Sequence, residues 1–141
     1  MNYYLGVDFG TSGARAVTID SQKQVQATAS VSFPLASPHW TQVWRDALFA
    51  LIAQIPAEIR LQIRSIAING TSSTVLLCNA EGQPLDQPIF YHDDRGKAVL
   101  DWVKSIAPAN HTVVSATSSL AKLLWWMSQD LGEQSIATQI E

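Results

Sequence analysis

The sequence predicts an α/β fold in which a mixed β-sheet, antiparallel in its first three strands, is flanked by helices. Up to Phe33, three apolar and β-branched runs are separated by short polar turns, which is typical of antiparallel strands. A segment with apolar residues at helical spacing follows, and then a further short apolar strand. This β-β-β-α-β order, with more helices after it, is compatible with a ribonuclease H-like fold.

The first half of the chain has the clearest periodic patterns. Three strands are predicted there, over residues 3–9, 14–20 and 25–33. The apolar positions of residues 41–55 recur at helical spacing until Pro56, which cannot continue a helix. Residues 65–69 form a short apolar run, so a buried strand is predicted there.

Shorter secondary-structure elements are predicted in the second half of the chain. A strand over residues 74–79 and a brief strand over 89–91 are separated by a turn. Two apolar helices follow, and each is preceded by residues that commonly cap helices. The candidate caps are Asp93 or Asp94 for the first helix and Ser118 or Ser119 for the second.

Composition narrows the class of protein. The chain has 141 residues, 47% of them hydrophobic and 15% charged, which predicts one globular domain with a core. Its net charge is -3 and its basic residues are scattered, so we expect no nucleic-acid partner. Cys78 lies alone in an apolar run and predicts a buried thiol of the kind found in a reducing cytoplasm. No signal-like or membrane-length segment is recognisable, and we expect a soluble, cytoplasmic protein without a membrane partner.

A candidate phosphate site follows the first strand. Asp8 ends that strand, and the turn Gly10, Thr11, Ser12, Gly13 comes directly after it. Glycines can allow backbone N–H groups to converge on an anion, and the two hydroxyls add donors. A carboxylate beside a bound phosphate requires a hard cation such as Mg²⁺ between them. The alternative, an ordinary hairpin turn stabilised by Asp8, stays open at this point.

Residues 5–16, LGVDFGTSGARA, resemble the opening motif of the FGGY carbohydrate kinases, which belong to the actin-like ATPase superfamily. Later segments are similar to this family in the same order. They are the strand, loop and strand of residues 65–77, the stretch 81–95 that resembles the family's G-x-P-L and W-x-D-x-R pattern, and the K-L-L-W of residues 122–125.

The resemblance implies an actin-like ATPase domain and an ATP-dependent carbohydrate kinase that transfers the γ-phosphoryl group to a sugar hydroxyl. It implies that Asp8 is catalytic and holds Mg²⁺, and that the turn from Gly10 to Gly13, with Arg15, binds the transferring phosphate. Arg15 has an equally good interpretation as a solvated strand residue.

Sugar recognition is implied for four residues, because short polar side chains can pair with each hydroxyl. These residues are Thr71, Ser72, Ser73 and Asp93. The first three are otherwise a polar turn, and Asp93 is otherwise a helix N-cap. The resemblance implies a ketopentose, either ribulose or xylulose, as the substrate. Many xylulose kinases carry Met-His-Gly where this chain has the polar triplet, whereas ribulose kinases often have small polar residues there, so the triplet counts against xylulose.

Members of the family are several times longer than this chain and have two domains. The resemblance therefore implies that residues 1–141 are part of the N-terminal domain, that the second domain is absent, and that the catalytic base lies downstream. We expect the isolated chain to be inactive and to self-associate, as a homodimer for example, through exposed apolar surface. The competing hypothesis is a non-catalytic nucleotide- or partner-binding module of the actin-like fold.

Overall fold

The computed structural model describes residues 1–129. It divides into two compact units, the first spanning Met1–Thr71 and the second beginning at Ser72. In the described part of the chain, no helix is long and apolar enough to cross a membrane.

The first unit is built on a four-stranded sheet with the order β3-β2-β1-β4. Its strands are β1 (Tyr3–Phe9), β2 (Gly13–Asp20), β3 (Val25–Ser32) and β4 (Ile63–Gly70). Neighbouring strands are antiparallel from β1 to β3, whereas β1 and β4 are parallel. The predicted mixed sheet with three antiparallel opening strands is therefore confirmed.

One face of this sheet packs on the helix α1 (Trp40–Gln54), which is followed by the short α2 (Ala57–Arg60). Alternate residues of β1, such as Leu5 and Val7, are buried in a cluster with Leu51 of α1 and with Ile55. The period of two in a strand turns the intervening residues to the opposite face. Asp8 therefore lies on the exposed face of the sheet.

The prediction that the fourth strand is buried was wrong. Ile66 and Ile68 of β4 are 50% and 61% exposed. The physical reason is position: in the described part of the chain β4 is an edge strand, with β1 as its one hydrogen-bonded neighbour. An apolar run is recognisable in a sequence, but the neighbours that would bury it are not.

The second unit begins with bridges in place of the two predicted strands. Residues 74–79 form only two isolated bridges among the described residues, Val75 with Ile89 and Cys78 with Pro84. Pro84 has no N–H to donate to a ladder, which helps explain why the pairing does not extend. Cys78 is half-buried and not fully buried as expected.

The helices of the second unit follow the predicted order. A 3₁₀ turn (Arg95–Val99) leads directly into α3 (Leu100–Ile106), and α4 spans Ser119–Ser128. Ser118 is the N-cap of α4, because its Oγ accepts a hydrogen bond from the N–H of Ala121 at 3.1 Å. The helical core contains Val99, Val103, Ala121 and Leu124.

Candidate functional site

Three polar side chains form a row across the exposed face of the first unit's sheet. Asp8 on β1 is paired with Arg15 on β2 and with Asn69 on β4. The side-chain amide of Asn69 donates a hydrogen bond to Oδ1 of Asp8 at 3.0 Å. All three residues are exposed. The strands thus place a cation and an amide donor on either side of one carboxylate.

The turn next to this row is held by two backbone hydrogen bonds. The N–H of Gly10 donates to the carbonyl of Gly13, and the N–H of Phe33 donates to the carbonyl of Ser12, each at 2.9 Å. Thr11 and Ser12 are exposed at the tip. The closing bond uses the amide of Gly10, so the amides and hydroxyls of Thr11 and Ser12 are not consumed by it.

One glycine of this turn, Gly13, also has a packing role. Within the described residues, Gly82 is the one glycine with a positive φ, so neither Gly10 nor Gly13 uses the left-handed region. Gly13 is required for packing, because a Cβ there would lie 2.4 Å from the carbonyl oxygen of Val31 on β3. Convergence of the backbone N–H groups on an anion, and phosphate binding at the turn, stay predictions.

The residues around Asp8 fit a magnesium ion that is held partly by a ligand. Mg²⁺ keeps several waters and binds proteins through one or two carboxylates together with substrate phosphates. Asp8 offers one exposed carboxylate, and one of its oxygens already accepts the amide of Asn69. Among residues 1–129, no group of three or more His, Cys, Asp or Glu side chains could hold a metal. These protein donors therefore suit an ion that is also bound by phosphate oxygens. They are too few to coordinate an ion by themselves.

The predicted polar triplet contains three different environments. The hydroxyl of Thr71 donates to the carbonyl of Phe9 at 3.2 Å, so it is engaged with the end of β1. Ser72 is exposed. Ser73 has a φ of 62°, which is uncommon for a residue other than glycine. The boundary between the two compact units follows Thr71.

Asp93 is held tightly by its neighbour Arg95. The guanidinium donates to both carboxylate oxygens, at 2.9 Å from Nε and 2.8 Å from an Nη atom, and the backbone N–H of Arg95 donates to Oδ1 at 3.0 Å. This side-chain hydrogen bond is the main reason why the pKa of Asp93 falls from 3.8 to about 2. The same contact raises the pKa of Arg95. Arg95 also lies 4.6 Å from the ring centre of Trp125, within cation–π range.

The N-cap interpretation of Asp93 is only partly matched. Asp94 occupies the N-cap position of the 3₁₀ turn and makes no side-chain capping hydrogen bond, although its carboxylate pairs with Lys97. Asp93 receives the N–H of Arg95, as a capping side chain does, while its ion pair fixes the carboxylate in place.

Lys122 is a residue of this region to which the sequence interpretation gave no role. It is fully buried on α4, and its Nζ donates to the carbonyls of Ser73 at 2.5 Å and Phe90 at 2.7 Å, with that of Tyr91 at 3.5 Å. Burial lowers the pKa of its ammonium. The sequence did contain one signal that could have identified it, because Lys122 is the single charged residue of α4.

Comparison with known proteins identifies the family of this chain. A family model described as the FGGY family of carbohydrate kinases, N-terminal domain, matches residues 3–139. The chain therefore belongs to the FGGY family of carbohydrate kinases, whose members are phosphotransferases.

Named relatives include two glycerol kinases. The one from Delftia acidovorans is 27% identical, and the match covers 100% of this chain and 32% of the relative. The one from Acaryochloris marina is 29% identical, covering 90% of this chain and 28% of the relative. The chain thus spans about a third of the length of these relatives.

Solved structures agree on the fold. A xylulose kinase from Brucella ovis superposes with a TM-score of 0.69 and 28% identity, covering 88% of this chain and 29% of that one. A glycerol kinase from Plasmodium falciparum with ADP has a TM-score of 0.67 at 17% identity, covering 93% and 29%. These neighbours support the ribonuclease H-like, actin-like ATPase fold.

Proposed function

We propose that the full-length protein, meaning the product of the complete reading frame that includes these 141 residues, is an ATP-dependent carbohydrate kinase. It transfers the γ-phosphoryl group of ATP to a hydroxyl of a ketopentose, ribulose or xylulose. The observation that carries this proposal is the row of Arg15, Asp8 and Asn69 beside the exposed turn, in a chain of the FGGY family. In this proposal residues 1–141 are part of the N-terminal domain, and the catalytic base lies beyond them.

Asp8 is the catalytic residue of this chain in the proposal. Phosphoryl transfer depends mainly on positioning and on neutralising charge. Asp8 would hold Mg²⁺, and the ion would neutralise charge on the phosphate oxygens. The hydrogen bond from Asn69 fixes one carboxylate oxygen and leaves the other for the ion or its waters.

The phosphate is bound by the exposed tip of the turn and by Arg15. Two consecutive amides and two hydroxyls, from Thr11 and Ser12, supply donors of the type that bind phosphate oxygens. Gly10 and Gly13 shape the turn through their mutual hydrogen bond. Arg15 adds a positive charge opposite Asp8 without being tied to any carboxylate in the described residues.

Four residues are proposed to bind the sugar: Thr71, Ser72, Ser73 and Asp93. Ser72 is the strongest candidate, since it is exposed, whereas the hydroxyl of Thr71 is engaged with Phe9. Asp93 is held by Arg95 and can accept a sugar hydroxyl with its remaining lone pairs. Side chains fixed in this way lose little entropy when they bind a ligand.

Glycerol is the second candidate substrate. It is favoured by the names of the curated relatives, which are glycerol kinases at 27% and 29% identity. The ketopentose proposal draws on the similarity to a xylulose kinase structure at 28% identity. A ketopentose offers more hydroxyls than glycerol to the polar residues of the triplet.

The test is a coupled ADP-release assay on the full-length protein with Mg²⁺ and ATP. The panel contains D-xylulose, D- and L-ribulose, glycerol, gluconate and a hexose. We expect the highest kcat/KM with a ketopentose. A higher value with glycerol would replace the substrate assignment, and no stimulation by any compound would favour the non-catalytic module instead.

A pair of aspartate variants tests the site itself. Asp8→Asn should reduce kcat by at least about a hundredfold, because the ligand charge for the cation is lost. Asp101→Asn is the matched control, since the side chain of Asp101 is 98% exposed on α3. Full activity of Asp8→Asn would refute the assignment. Self-association of the chain, as a homodimer, is measured separately by sedimentation.

A further inference from the structure

Lys122 is a buried cation whose partners are all backbone carbonyls. Its side chain has 0% exposure, and its Nζ lies within hydrogen-bonding distance of the carbonyl oxygens of Ser73, Phe90 and Tyr91. In the part of the chain that the structure describes, no carboxylate lies within ion-pair distance of it, and the charge of Asp93 offsets only part of the lowering of its pKa by burial. An ammonium has three N–H donors, and burying it is expensive unless they are used. Such an arrangement costs stability and requires a reason.

The three carbonyls come from two segments that are far apart in the sequence. Ser73 ends the polar triplet, and Phe90 and Tyr91 directly precede His92 and Asp93. These segments are the ones to which sugar recognition is assigned under the proposed function. One ammonium therefore fixes the backbone of both.

The backbone at Ser73 needs this restraint more than an ordinary turn does. Its φ of 62° lies in the left-handed region, which costs energy for a residue with a Cβ. Its carbonyl accepts the shortest of the three hydrogen bonds, at 2.5 Å. Nearby, the hydroxyl of Thr74 accepts the N–H of Tyr91 at 3.1 Å, so the two segments are also bonded to each other.

We propose that Lys122 is a positioning residue for the sugar: by bonding the carbonyls of Ser73, Phe90 and Tyr91, it holds Ser72 and Asp93 in the arrangement that binds substrate. This role rests on the proposed function. Lys122 itself does not touch the sugar, since its side chain is enclosed. Because the two segments that it holds are the ones assigned to the sugar, its effect is on sugar affinity and not on nucleotide affinity.

The test compares Lys122→Met with Lys104→Met in the full-length protein. Methionine keeps an unbranched apolar stem but donates no hydrogen bond, and the side chain of Lys104 is 56% exposed on α3. With the best substrate of the panel, Lys122→Met should raise the KM for the sugar about tenfold or more, the effect of one lost hydrogen bond to a charged group. The KM for ATP should change less than about threefold, and Lys104→Met should change neither constant. Lys122→Gln, which can restore part of the bonding, should fall between the wild type and Lys122→Met.

A structural role alone would give a different result. If Lys122→Met lowers the melting temperature but leaves the KM for the sugar unchanged well below that temperature, the positioning role is refuted while wild-type turnover still supports the kinase. A wild-type protein without turnover would overturn the proposed function and this role together.

A measurement on the wild type covers the case in which the variants do not fold. Amine labelling with acetic anhydride, read by mass spectrometry, should be slow at Lys122 and fast at Lys97 and Lys104, whose side chains are 71% and 56% exposed. Saturating sugar should slow labelling of Lys122 further relative to Lys104, whereas ATP alone should not. Equal protection with and without sugar would contradict the proposal.

Discussion

The side-chain amide of Asn69 donates to Oδ1 of Asp8 across the parallel pair of β1 and β4, at 3.0 Å. A hydrogen bond to a carboxylate oxygen fixes the carboxylate rotamer and determines which oxygen faces a ligand. Because the partner is a neutral amide, the negative charge of Asp8 stays available to a cation.

This relationship predicts the effect of replacing Asn69. Asn69→Ala should lower kcat of the full-length protein by about tenfold, the equivalent of one hydrogen bond to a charged group, with little change in melting temperature because the residue is exposed. Asn2→Ala is the control, since Asn2 is exposed just before β1 and its side-chain oxygen accepts a hydrogen bond from Arg64. An unchanged kcat for Asn69→Ala would mean that Asp8 needs no orientation.

The glycines of the first unit predict opposite outcomes for the same substitution. Gly13→Ala would place a Cβ 2.4 Å from the carbonyl oxygen of Val31, so β2 and β3 must separate. Gly70→Ala meets nothing within 4 Å. Thermal melts of the chain should show a loss of several degrees for Gly13→Ala and a small change for Gly70→Ala. Equal melting temperatures would show that β3 can shift at little cost.

Thr18 predicts a stabilising substitution. Its side chain is fully buried on β2, and its hydroxyl has no hydrogen-bond partner among the described residues. Thr18→Val replaces that hydroxyl by a methyl group of similar shape, which should add about 1 kcal/mol to the free energy of unfolding. Thr28→Val on the exposed side of β3 is the control for the higher strand propensity of valine. If Thr18→Val lowers the free energy of unfolding relative to Thr28→Val, the hydroxyl of Thr18 contributes to stability, and the prediction that it is unpaired is contradicted.

The ion pair of Asp93 and Arg95 predicts a pH dependence at the acidic end. The pKa of Asp93 is lowered from 3.8 to about 2, so the folded state favours the ionised carboxylate. Its stabilisation is complete above about pH 4 and is lost as the pH falls towards about 2. The difference in unfolding free energy between the wild type and Asp93→Asn should shrink over this window. A constant difference for Asp93→Asn across this window would contradict the lowered pKa.

The opening sheet and α1 could be predicted from sequence because their signals are local. The period of two in β3 and the helical spacing in α1 are visible within a few residues, and Ser118 was correctly placed among the caps of α4. The row on the sheet was only partly predictable. Asp8 and Arg15 were singled out, while Asn69 acquires its meaning from a parallel pairing that no local pattern reveals.

The errors concern features that depend on distant parts of the chain. The exposure of Ile66 and Ile68 follows from the edge position of β4, and the bridge of Val75 and Ile89 is a pairing across a loop. Lys122 was missed for the same reason. A charge in an apolar helix most often reaches the surface through its flexible stem, and only the folded chain shows that this one bonds three carbonyls.

Trp126 gives the second unit a built-in optical reporter. Its indole is 4% exposed and packs with Leu77 and Ile89, on the same helix as Lys122. Its fluorescence should therefore be shifted to the blue while residues 75–89 pack against α4, and should move to the red when that packing loosens. The sequence has four other tryptophans, Trp40, Trp44, Trp102 and Trp125. With these four replaced by phenylalanine, the emission maximum would follow the state of this unit in real time, without ATP or sugar.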